Sequence, residues 1–134
     1  MNSRTLIVLI MTFFSMAALP AKLYAGDDIV DKISAALKSA NASKISDYFY
    51  SSVNLEVGEI DGSYSKKQAE MIMSDFLKKE PVKSFEIKHQ GSSDDGSKYI
   101  IGNYKTVDKV YRVYILLKKQ NDIYLIHHLQ FEND

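Results

Sequence analysis

The chain has 134 residues, 46% of them hydrophobic, with 17 basic side chains against 17 acidic ones and no cysteine. Such a balance excludes recruitment of nucleic acid or an anionic membrane by a basic field. The lack of cysteine excludes disulfides, thiolate chemistry and a cysteine-linked lipid anchor.

In chain order, MNSRTLIVLIMTFFSMAALPAKLYAGDD places Arg4 ahead of an uncharged, mainly apolar run from Thr5 to Leu19. That run is too short to span a bilayer, and Pro20 and small residues follow it, so residues 1–25 read as a secretory leader. The expected cut follows Ala25, with Ala21 as the fallback, and leaves a single domain over residues 26–134. The mature chain is expected in the periplasm or secreted, soluble, without a lipid anchor or a membrane span. Loss of Arg4 and Lys22 takes the net charge to about −2 and leaves Arg112 as the only arginine. Forked grips on phosphate or carboxylate are therefore scarce.

GDDIVDKISAALKSAN carries acids in its first turn and spaces Ile29, Ile33, Ala36, Leu37 and Ala40 as one helical face, ending at Asn41. Asn41-Ala42-Ser43 also matches a glycosylation acceptor, but helix-end chemistry accounts for it better. SKISDYFYSS predicts a second, shorter helix with Ile45, Tyr48 and Phe49 on one side. VNLEVGEIDGSYS alternates Val53, Leu55 and Val57 with polar residues, a half-buried strand running into an Asp61-Gly62 turn. Ser65 then caps KKQAEMIMSDFLKKE, whose Ala69, Ile72, Met73, Phe76 and Leu77 form a core-facing stripe that Pro81 ends. Four strands follow: Val82–Gln90, Lys98–Val107, Lys109 or Val110 to Lys118, and Ile123–Phe131. Their connections are GSSDDGS, Asp108-Lys109 and KKQND.

Helices segregated to one side of an antiparallel sheet make an α+β domain, here of about five strands in the order α-α-β-α-β-β-β-β. Over residues 27–132 this order resembles the nuclear transport factor 2-like superfamily, a cone in which a curved sheet wraps three helices. More narrowly, the leader, IVDKISAALKSANASKISDYFYSSVNLEV and the closing LIHHLQFEND are similar to a domain-of-unknown-function family of small exported bacterial proteins. That family supplies no functional residues to carry over, and the superfamily hosts enzymes, binding modules and passive domains alike.

Alternation along a strand sends His127 and His128 to opposite faces, so they cannot share a metal, and neither a metal nor another cofactor is expected. A two-residue Asp108-Lys109 turn pairs Tyr104 with Val113, and an odd loop between Leu117 and Ile123 pairs Val113 with His127. Tyr104, Val113, Leu125 and His127 then face the helices, and His128 faces outward with Arg112 and Lys105. A one-residue slip at KKQND would exchange the two histidines.

Two functional readings stay open. In the first, a non-catalytic module takes a small apolar or amphipathic ligand between Tyr48, Phe49, Phe76, Tyr104, Val113 and His127. In the second, the core is filled, and His127 is bonded to Tyr104 or a backbone carbonyl. The outer face then forms a homodimer through Ile101, Arg112, Tyr114, Leu116, Tyr124 and Ile126. A pocket enzyme ranks third, and no catalytic residue is expected. The strand acids fall on turns, ends or outward positions, away from the place where a pocket base would stand. No nucleotide cradle or nucleophile motif occurs.

Overall fold

The computed structural model describes residues 25–134, so the leader reading lies outside the described residues except at Ala25. Helix α1 spans Ala25–Lys38 and α2 Ala42–Ser46; strands β1 (Phe49–Val57) and β2 (Ile60–Ser65) precede helix α3 (Lys66–Lys79). Strands β3 (Ser84–Ser92), β4 (Lys98–Lys105), β5 (Val110–Gln120) and β6 (Ile123–Asn133) complete the domain. The six strands form one open sheet in the order β2-β1-β6-β5-β4-β3. It is not wholly antiparallel, because β1 runs parallel to β6 while every other pair is antiparallel. The parallel pair arises because α3 and four strands intervene before the last strand returns beside the first. Among the described residues, no helix is long and apolar enough to cross a membrane.

Local chemistry explains the helices. Ser65 accepts a hydrogen bond from the Gln68 backbone N–H, and the Gln68 side-chain oxygen accepts one from the Ser65 N–H, a full capping box. Asn41 caps α2 by accepting from the Lys44 N–H, so its role is the helix-end one. That helix is shorter than the periodicity of SKISDYFYSS predicts. The chain leaves it at Asp47, and Phe49 enters β1 opposite Ile126, with the Ile126 N–H bonded to the Tyr48 carbonyl at 2.6 Å. Ladder pairing of an aromatic run outweighs its weak helical spacing.

The strand expected over VNLEVGEIDGSYS is a hairpin, which raises the strand count to six. Its turn is Gly58-Glu59, with Gly58 at φ 61, and Asp61 and Gly62 lie inside the β2 ladder opposite Glu56 and Leu55. The β4–β5 connection also shifts by one residue. Lys105 pairs with Val110 and Tyr104 with Tyr111, and the Thr106 N–H donates to the Lys109 carbonyl, so the turn centres on Val107-Asp108. Each pairing moves by two positions, an even number, so every inward residue of β4 and β5 keeps its face.

Val30, Ile33 and Leu37 of α1, Ile45 of α2, and Ala69, Met73 and Leu77 of α3 meet the inward strand residues in one buried cluster. Gly102 of β4 belongs to that layer because a Cβ there would stand 2.7 Å from the Glu86 carbonyl oxygen and 2.8 Å from the Phe85 ring.

Candidate functional site

The expected pocket is a packed core. Phe49, Tyr104 and Val113 are 2%, 0% and 0% exposed, and the Tyr104 hydroxyl donates to the Glu80 carbonyl at 2.7 Å. Tyr104 therefore has its partner without a ligand, and burial pushes its phenol up to about 12. Tyr48 is half-buried against the same core, at the junction of α2 and β1.

His127 does not join Tyr104 and Val113. The hairpin turn is the two-residue Asn121-Asp122, both at positive φ (49 and 65), between the paired Gln120 and Ile123. Asn and Asp tolerate that conformation, and the pair suits a tight hairpin. The β5–β6 ladder then runs regularly to Leu117 opposite Ile126, skips His127, and resumes with Leu116 opposite His128. His127 is a bulged residue, which exchanges the faces of everything between it and the turn. Ile126, expected on the outer face, is fully buried in the core, and Tyr124 packs against that core. Leu125 and His127, expected inside, take no part in the core. On the other flank, β1 also loses register here, between Phe49 and Asn54.

The two histidines thus have separate environments. His127 stacks on Tyr50 with ring centroids 4.2 Å apart and planes 11° from parallel, and its Nε2 is buried with no hydrogen-bond partner. His128 lies edge-on to Tyr114 and 3.8 Å from the Glu56 carboxylate. Desolvation, aided by Lys118, holds the His127 imidazole below its usual range. A lowered pKa means that the unfolded chain takes up a proton first as acidity rises. The contribution to stability is therefore complete above about pH 6.5 and is lost as pH falls through the imidazole range. Urea unfolding at pH 7.5 and 5.5 is expected to show this loss in the wild type and a smaller one in His127→Gln; an equal loss in both would refute it.

A cleft of about 700 Å³ lies instead at one end of the sheet. The β1–β2 turn supplies Val57, Gly58, Glu59 and Ile60, and the C-terminal half of α3 supplies Ile72, Asp75, Phe76 and Lys79. Glu80, Lys109, Tyr111 and Asn133 close it. Its floor continues into an aromatic cluster in which Phe76 meets Phe131 at 5.0 Å and Tyr111 at 5.4 Å, both edge-on, with Tyr104 behind at 5.4 Å from Phe131. At the wall, Lys109 Nζ contacts Glu80 Oε1 at 3.0 Å, and the Glu80 side chain is only 18% exposed. That carboxylate raises the Lys109 ammonium, while burial first and Glu80 second raise the Tyr111 phenol. Both protons are held, so these two groups present a cation and a hydroxyl to the cleft, beside the carboxylates of Glu59, Asp75 and Glu80.

Of the expected pocket residues only Phe76 lines this cleft. Glu80, Lys109 and Tyr111 were missed, although Glu80 carries a sequence signal. An acid at a helix C-terminus opposes the helix dipole unless a cation compensates it, and Lys109 does so from 29 residues away. Of the outer-face candidates, Ile101, Tyr114 and Leu116 are half-exposed and Arg112 exposed, away from the helices. Among the described residues, no group of three or more His, Cys, Asp or Glu could hold a metal ion.

The family model described as "Domain of unknown function (DUF4783)" matches residues 30–132. Among solved structures, the chain is similar to a DUF4783 family protein from Bacteroides ovatus at 30% identity and a TM-score of 0.72, covering 77% of this chain and 93% of that one. A second DUF4783 family protein, from Bacteroides uniformis, is 27% identical at a TM-score of 0.73, covering 78% of this chain and 95% of that one. A designed NTF2-like protein shares the fold alone, at 15% identity and a TM-score of 0.64 over 79% of this chain and 95% of that one. No curated protein matches. The nuclear transport factor 2-like fold expected from element order is thus the fold of the molecule.

Proposed function

The chain belongs to the DUF4783 family, and we propose that it is a non-catalytic binding module of the cell envelope whose ligand enters the end cleft. One observation carries this reading: the cone interior is filled, yet a cleft of about 700 Å³ lies against its aromatic cluster with an ion pair in its wall whose Glu80 carboxylate is mostly buried. That volume falls in the usual range for small-molecule sites, and Val57, Ile60, Ile72 and Phe76 give the cleft apolar walls among its charged and polar residues. The reading keeps export, with residues 1–25 removed as a leader. Native mass spectrometry of the protein purified from its own cells, then denaturation, tests it. A stoichiometric small molecule should be released from wild type and absent from an Ile60→Glu/Ile72→Glu variant that melts cooperatively. An empty wild-type protein, or equal loading of both, would sink the proposal.

A second reading rests on the outer face, where Ile101, Tyr114 and Leu116 leave apolar surface half-exposed between Arg112 and Lys118 on one strand and Glu56 and Glu132 on neighbouring ones. An apolar centre with charges of both signs suits a second copy of the same surface. Light scattering should then give a dimer that Leu116→Glu converts to monomer, and a wild-type monomer at high micromolar concentration would remove this reading.

A further inference from the structure

Lys109 belongs to two cavities. On one side it closes the end cleft, and on the other it borders a groove of about 510 Å³ that also includes Lys83, Lys105, Thr106 and Val107. We infer that the ligand of the end cleft is an amphipathic anion, its apolar body on Phe76, Ile72 and Ile60 and its carboxylate or phosphate held by Lys83 and Lys105 beyond Lys109. This rests on the binding-module reading above and specifies the chemical class of the ligand.

Charge complementarity selects the anion. Within the groove, the acid Asp108 is engaged by the Thr106 hydroxyl at 3.2 Å, and Lys109 is engaged by Glu80. Lys83 and Lys105 have no carboxylate within 4.0 Å among the described residues; Glu86, which Lys105 helps keep ionised, is bonded by Lys88 at 3.1 Å. The backbone holds these two lysines together, since the Lys83 N–H donates to the Lys105 carbonyl at 2.7 Å. Two ammonium groups rooted on neighbouring segments, both short of a counter-charge, form the part of this surface best prepared for an acid. A carboxylate or phosphate there would gain two charge-assisted contacts without breaking the Glu80–Lys109 pair.

Geometry also gives the ligand a direction. The cleft itself is lined by Glu59, Glu80 and the Asp75–Lys79 pair at 3.0 Å, so an acid placed inside it would meet carboxylates, whereas the groove beyond Lys109 presents Lys83 and Lys105. Ile60, Ile72 and Phe76 supply apolar surface within the cleft, and Val107, 89% exposed in the turn, offers further apolar contact beside the lysines. A single-chain amphiphile can span that sequence of surfaces: chain over the aromatic floor, head past Lys109. A free fatty acid and a phosphate-headed lipid share this chemistry.

Isothermal titration with dodecanoate, dodecyl phosphate, dodecyltrimethylammonium and dodecyl maltoside, each below its micelle concentration, tests the class and separates its two sources. Either anion or both should bind, the cation should not, and added salt should weaken binding. Lys83→Gln/Lys105→Gln should lose roughly tenfold or more in affinity for the anion and keep any weak affinity for the maltoside, at about one factor of five per surface charge. Ile60→Glu/Ile72→Glu should lose all of them. Equal binding of anion and maltoside, or tighter binding of the cation, would overturn the anionic class and leave the cleft reading intact. So would an anion affinity that the lysine substitutions do not change. Failure of all four amphiphiles to bind the wild-type protein would remove both.

Discussion

Phe131→Ala is expected to cost about 3–5 kcal/mol of folding stability, the range for truncating a buried aromatic ring. Phe131 is 5% exposed in the central strand β6, opposite Val113 of β5 and Val57 of β1. Its ring touches three others edge-on, at 5.0 Å to Phe76, 5.4 Å to Tyr104 and 6.2 Å to Tyr111. Each such pair adds about 0.5–1.5 kcal/mol beyond the area it buries. The site cannot collapse readily, because a β-sheet flanks it on both sides and Phe76 is anchored on a capped helix. Urea unfolding should show the midpoint falling by more than about 1 M at unchanged slope, while Phe131→Leu, which refills most of the volume, should cost roughly 1 kcal/mol. A loss below 1 kcal/mol for alanine would mean that the cluster does not support the floor of the cleft.

Adding a single methyl group at Gly102 should have the next largest effect, about 2–3 kcal/mol of destabilisation in Gly102→Ala, near the upper end for overpacking a core. The new Cβ would lie 2.7 Å from a backbone oxygen of β3 and 2.8 Å from the ring of Phe85, which is 4% exposed. The ring could yield if there were room for it, but the Glu86 carbonyl belongs to the β3–β4 ladder and cannot. A glycine in the middle of a strand commonly marks such a close approach. Pairing the substitution with Phe85→Leu should recover part of the loss, and the double-mutant cycle measures the share owed to the ring. Full recovery would show that the carbonyl contact is relaxed, and no recovery would show that it dominates.

Much of this protein is determined by sequence alone, through short-range chemistry. Ser65 with Gln68 starts α3, the apolar spacing of Ile33, Ala36 and Leu37 buries α1, and strict alternation in β4 and β5 assigns Ile100, Tyr104, Val113 and Ile115 to the core. Those assignments survive a displaced turn because pairing moved by an even number of residues. Tertiary structure decided the rest, wherever local preferences were nearly balanced or partners were distant in the chain. Tyr48 and Phe49 left their helical pattern because β6 offered them a ladder from 77 residues further on. One bulge at His127 turned Ile126 inward and took the histidine out of the core, and nothing in LIHHLQ distinguishes that bulge from a regular strand. The cleft draws on the β1–β2 turn, the end of α3, the start of β5 and the last residues of β6. Its Glu80–Lys109 pair spans 29 positions, so only the closing of the sheet over the helices could create it.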